Sequence, residues 1–275
     1  MMVYDKEIVE QAGVELPEQL TIEELYDIGQ TIYEKTGVKT YYDGGINMMQ
    51  VIARTQGSHL FDELAAGTKT ACETHFANVD KFNKAESAIS PDLLAEKNPD
   101  VVETKPIIDG TTWNDFSYSN QYISIANTAG RDLGITMYPT TSDATTQPMF
   151  LKPSQFFAVS RDAGENEAEA VKVVNYLLNS EDANKILLGE RGVPASSVVA
   201  SAIAPLQDET AQVVTKYVND VVTPNCSAIS PAIPDGANEV YDYYNQLVDK
   251  ILYGQMTAQE AAEDLFKMGN QIMSR

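Results

Sequence analysis

Side chains that carry covalent and metal chemistry are scarce in this sequence: its 275 residues include two cysteines and two histidines. Neither His59 nor His75 has a partner at the close spacing of a zinc site, which argues against a metal centre. Cys72 and Cys226 are too few to staple a fold of this size, and their number leaves both their pairing and the compartment open. Cations are scarce too, with 19 Lys and Arg against 40 Asp and Glu for a net charge of −21. Such a surface repels phosphate backbones and anionic lipid headgroups, so nucleic acid and membrane surfaces are poor partners. No run approaches the ~18 apolar residues of a membrane span, and Asp5, Lys6 and Glu7 stand where a secretion signal needs apolar residues. Gly 16 and Pro 12 are too few for a collagen-like or low-complexity chain. What is present is 43% hydrophobic and 21% charged residues, enough for one large globular domain or two smaller ones.

Helices and strands are legible in part. Thr21 with Glu24 forms a capping-box pattern, and Ile22, Leu25, Ile28 and Ile32 follow at helical spacing, predicting a helix over 22–35 that Gly37 ends. A short strand is expected over 38–42, a turn at 43–45 and a helix over 48–53. Residues 57–98 show no clean period before 92–97. β-branched and aromatic clusters predict strands over 122–126, 134–138 and 155–160, with a Thr/Ser-rich loop over 140–147. Ala170, Val173, Val174 and Leu177 predict a helix with one buried face, with a second helix beginning at Ser180. Val240, Tyr244, Leu247 and Ile251 mark a further helix, and Thr257 with Glu260 caps the last one. Strands alternating with helices indicate an α/β fold, and no repeat period is visible.

Catalytic patterns are thin. Ser58 lacks the glycine geometry of a nucleophile elbow, and Gly44 with Gly45 lacks the residues of a phosphate-binding loop. Cys72 and His75 lie three apart, a spacing that a helical turn could convert into a nucleophile and base, although surface or capping positions are the ordinary place for both histidines. Paired carboxylates are expected by number alone in so acidic a chain. Fourteen tyrosines with abundant Asn and Gln suit a recognition surface that stacks on sugar faces and hydrogen-bonds hydroxyls.

The order of segments is similar to that of extracellular solute-binding proteins, family 1, the maltodextrin-type receptors of ABC importers. The stretch 3–32, the helix over 168–179, the Ser180 to Ala183 start of the next helix and the Gly192, Val193, Pro194, Ala195 turn all resemble that family, as do 132–140 and 156–162. The resemblance spans 3–273. It implies an α/β, periplasmic-binding-protein-like (type II) two-lobe fold, with 1–149 and 208–275 as the C-terminal lobe and 150–207 as a remnant of an N-terminal lobe that is otherwise missing upstream together with the secretion signal. Self-association of that remnant through Val174, Leu178 and Leu187 is then expected.

The same resemblance implies a binding protein, not an enzyme, that needs no cofactor. Its partners would be a small-molecule carbohydrate and a membrane permease, and its location extracytoplasmic, as a cell-surface lipoprotein or in the periplasm. Ligand contacts are implied at Asn47, Met48, Asn127, Thr128, Gln155, Phe156, Asn238, Tyr241 and Asn245, with Tyr241 as a stacking ring where the family often has tryptophan. Asn127 and Thr128 replace a glycine-tryptophan platform, which leaves the ligand class open. Trp113 is assigned to the core. Two rival readings remain: a sensor or interaction module for a protein partner, marked by an exposed apolar patch, and a Cys72/His75 hydrolase.

Overall fold

The computed structural model describes residues 1–42, 44–99, 101–153, 155–189 and 192–275; of the expected 43–45 turn, Asp43 lies outside them. The order is β1 (Met2–Asp5), α1 (Lys6–Ala12), β2 (Gln19–Thr21), α2 (Ile22–Thr36), α3 (Ile46–Thr55), α4 (Leu60–Ala66), α5 (Thr70–Asn83) and α6 (Pro91–Glu96), then β3 (Asn114–Phe116), α7 (Tyr122–Ala129) and β4 (Leu133–Thr140). After these come α8 (Glu167–Asn179), α9 (Glu181–Leu187), α10 (Ser197–Ile203), α11 (Glu209–Lys216), a π-helical turn at Tyr217–Val222, α12 (Ala237–Leu252) and α13 (Ala258–Met273).

The sheet order is β2-β4-β1-β3, with β1 antiparallel to both neighbours and β2 parallel to β4. Alternation along β1 sends Met2 to one face and Met1 and Val3 to the other, so each face meets its own helical layer. One layer is built from α1 to α5, α12 and α13; the other sets Tyr122 and Ile125 of α7 against Val214, Tyr217 and Val222. Asp5, at the end of β1, accepts from the Ile8 amide at 3.2 Å to cap α1 and takes the Arg131 guanidinium at 2.5 Å, joining strand, helix and the loop before β4.

Both expected capping boxes are present: the Glu24 amide donates to Thr21 Oγ1 at 3.1 Å, and the Glu260 amide to Thr257 Oγ1 at 3.2 Å. Trp113 is fully buried and donates from Nε1 to Thr40 Oγ1 at 2.9 Å.

Three expectations are corrected. Residues 122–126 belong to a helix, because Tyr122, Ile125, Ala126 and Ala129 recur at helical spacing and Gly130 ends the turn in the left-handed region at φ 62°. The 155–160 strand does not form; the segment is exposed and unpaired, with Phe156 81% accessible. Residues 38–42 contribute isolated bridges only, Lys39 to Thr112 and Thr40 to Ala88.

Helix α8 differs in character from the other long helices. Helix α8 buries none of its residues completely, although Val171, Val173, Tyr176 and Leu178 are apolar and at least 46% accessible. A helix that is apolar on several sides is normally covered.

Candidate functional site

A cleft of about 310 Å³ opens where the C-terminal ends of β3 and β4, the first turns of α3 and the π-helical turn converge with the chain at 148–152. Its wall is aromatic: Tyr41, Phe116, Tyr118, Tyr138, Phe150 and Tyr217 all face it. Phe116 anchors this cluster, 4.8 Å from the Tyr138 ring and 6.0 Å from Tyr41 between centroids. Polar groups are spaced between the rings, with Asn47 and Gln50 from α3, Ser117, Ser119 and Gln121 after β3, and Lys152 set 5.6 Å over the Tyr118 ring.

Lys105 forms part of the cleft lining, and its amine sits 3.0 Å from Asp115 in a fully buried ion pair that Ser117 completes by donating to the same carboxylate at 2.5 Å. Burial pushes the Tyr217 hydroxyl to a high pKa; it stays protonated and donates to the Thr136 carbonyl at 3.3 Å. Together, flat apolar ring faces with amide, hydroxyl and lysine side chains spaced between them can stack on and hydrogen-bond a small solute.

Of the nine residues singled out from sequence, Asn47 lies in the cleft lining itself. Met48, its neighbour, turns into the core and is fully buried. Tyr241, half-buried on α12, lies outside the cleft lining and packs 5.8 Å from Phe61 between ring centroids. Asn238 and Asn245 are on the exposed side of α12. Gln155 and Phe156 continue, exposed, from the cleft wall at 148–152, and Asn127 and Thr128 stand exposed at the end of α7. Sequence reasoning did not single out Tyr41, Phe116, Tyr118, Tyr138, Phe150 or Tyr217. Their only advance signal was the density of tyrosine, which does not say which rings converge.

The Cys72 and His75 pair is buried away from this cleft. His75 Nε2 is 2.7 Å from Tyr244 Oη, and burial pushes its pKa down to about 3, so it is a neutral core residue and not a surface or capping one. Burial raises the Cys72 thiol to about 12, and its sulfur rests 3.9 Å from Met49 Sδ. A buried thiol so reluctant to ionise is a poor nucleophile. Among the described residues no cluster of three or more His, Cys, Asp or Glu could hold a metal ion, and no helix is long and apolar enough to cross a membrane.

Residues 1–216 match the family model described as bacterial extracellular solute-binding protein. The chain belongs to that family. Its fold is the periplasmic solute-binding fold, as in an extracellular solute-binding protein family 1 member from Alicyclobacillus acidocaldarius (22% identity, TM-score 0.83), where all of this chain matches 69% of that one. A periplasmic solute-binding protein from Pectobacterium atrosepticum matches at 18% identity and TM-score 0.83, over all of this chain and 70% of its own. A periplasmic oligogalacturonide-binding protein from Yersinia enterocolitica, in complex with saturated digalacturonic acid, matches at 20% identity and TM-score 0.74, over all of this chain and 71% of its own. Members of this family bind solutes outside the cytoplasm.

Proposed function

We propose that this solute-binding protein captures an oligosaccharide in the aromatic cleft and delivers it to a membrane permease of an ABC importer. The observation that carries the reading is the wall formed by Phe116, Tyr118, Tyr138 and Phe150 beside Asn47, Gln50 and Gln121. Ring faces stack on the C–H faces of sugars while amides bond their hydroxyls. The Yersinia enterocolitica oligogalacturonide-binding protein, in complex with saturated digalacturonic acid, is one instance of such a ligand on this fold.

Residues 1–149 and 208–275 form one lobe in this reading, and 150–207 belong to a second lobe that closes over the ligand. The accessible apolar residues of α8 to α10, among them Val171, Val173, Ile186 and Val198, support this division, because they suit packing against further structure or a second copy. Self-association of the isolated chain through this face follows, and light scattering over a concentration series measures it.

Calorimetric titration with neutral and uronic-acid oligosaccharides tests the ligand assignment. Saturable binding of one of them, weakened by Tyr118→Ala, supports it. Absence of binding to every saccharide, alongside binding of a peptide or another solute in the same cleft, overturns it.

A further inference from the structure

Arg54, in the last turn of α3, is 3% accessible and has no carboxylate partner among the described residues. Its guanidinium instead gathers two distant segments. Nε donates to the Pro148 carbonyl at 2.7 Å, Nη1 to Ser230 Oγ at 2.7 Å, and Nη2 to Ser227 Oγ and the Ala228 carbonyl, both at 2.7 Å. The Phe150 ring lies over the same group, 4.4 Å from Cζ to the centroid. The two segments also bond each other directly, the Ser227 amide donating to the Met149 carbonyl at 2.8 Å.

A buried cation satisfied wholly by neutral oxygens is costly to desolvate, so the planar fork must be supplying geometry that a smaller or apolar side chain would not. The location says what that geometry fixes. Pro148 is buried and Met149 and Phe150 are half-buried in the cleft wall, and Leu151 and Lys152 continue that wall as exposed residues.

We infer that Arg54 is a positioning residue that clamps the cleft wall at 148–150 and the 227–230 segment into one unit, holding Phe150 as a fixed platform of the cleft. The use of that platform for stacking on a sugar rests on the sugar-capture reading. The clamp itself does not.

Hydrogen exchange followed by mass spectrometry on the full chain separates the two. In Arg54→Met, peptides spanning 147–151 and 226–231 exchange about tenfold faster and by matching amounts, while α5 and α13 stay within about twofold of the unmodified protein. Arg54→Lys behaves like Arg54→Met, because an ammonium keeps the charge but cannot span the four oxygens. Should either variant fail to fold, Ser227→Ala with Ser230→Ala keeps the arginine and removes two of its acceptors, and the same paired acceleration is expected in smaller measure. Acceleration of only one segment, a uniform rise across all peptides, full rescue by lysine or no change overturns the clamp. If the paired acceleration is seen but no saccharide binds, the clamp stands and the sugar reading falls.

Discussion

The imidazole of His75 and the phenol of Tyr244, 169 residues apart in sequence, form a buried hydrogen bond of 2.7 Å between α5 and α12, and Tyr244 Oη donates onward to the Gly44 carbonyl before α3. One polar chain thereby ties two core helices to the turn that launches the cleft residues Asn47 and Gln50.

Because burial holds the His75 imidazole near a pKa of about 3, against 6.5 in an unfolded chain, the unfolded state binds the extra proton between those values. Stability from this group is fully present above pH 6.5 and is lost as pH falls toward 3, by about 1.4 kcal/mol per pH unit. Urea denaturation at pH 7 and pH 5 checks this. His75→Gln should lose less stability between the two than the unmodified protein, the difference isolating this one group from the many carboxylates that also protonate.

Gly29 marks a close approach of α2 to the 38–42 segment: a Cβ there would lie 2.2 Å from Thr40 Oγ1, the acceptor of the Trp113 indole. Alanine normally favours a helix interior by about 1 kcal/mol over glycine. Here overpacking costs about 1–3 kcal/mol, so Gly29→Ala is expected to lower the thermal midpoint, with a shift in Trp113 fluorescence. A rise in the midpoint would show that Thr40 moves aside freely.

Much of the framework was legible in sequence wherever a local rule was strong. The capping boxes at Thr21 and Thr257 and the apolar stripes of α2 and α12 depend on neighbours within a few residues, so they read directly. Helix α5 is hidden in the sequence because its buried face, Cys72, His75, Phe76, Val79 and Phe82, has at its centre a histidine that does not score as apolar. Helix α7 reads as a strand because β-branched and aromatic residues cluster over 122–126, while Val214 and Tyr217, in the same buried cluster as Ile125, come from far along the chain. The cleft obeys the same logic. Tyr41, Tyr118, Phe150 and Tyr217 converge only once the sheet and α11 are assembled, whereas Asn47 could be singled out through a family resemblance.

The two thiols should differ sharply in reactivity. Cys226 is half-exposed, whereas Cys72 is buried with its pKa raised to about 12. An aromatic disulfide reagent under native conditions is expected to modify one thiol per chain rapidly and the second only in denaturant, with peptide mapping assigning the first to Cys226. Rapid native modification of Cys72 would revive a nucleophilic role for it.

The Lys105 and Asp115 ion pair gives the cleft floor a rigid anchor, since both groups are almost fully buried and 3.0 Å apart. Removing one partner strands the other, so Asp115→Asn is expected to cost about 3–5 kcal/mol. Adding Lys105→Met should recover a large part of that loss, because the stranded charge is then gone. Denaturant melts of the two single variants and the double variant measure the coupling. Additive effects would mean that the pair is screened by water rather than sealed beneath the cleft.

Position relative to the cleft should decide which of the asparagines affects ligand binding. Asn47 lines the opening, within a turn of Gln50, while Asn127 is exposed at the end of α7 and outside the lining. A side-chain hydrogen bond to a sugar hydroxyl contributes about 0.5–1.5 kcal/mol, so Asn47→Ala is expected to weaken saccharide affinity by up to about tenfold. Asn127→Ala should leave it within about twofold, and neither exchange should move the melting temperature of the unliganded chain appreciably, because both side chains are solvent-exposed. Calorimetric titration of the two variants with the same oligosaccharide distinguishes the cases. The reverse pattern, with Asn127 sensitive and Asn47 silent, would move the binding surface to the α7 side, next to the groove that Asn120 and Ser124 form with Leu188 and Gln207.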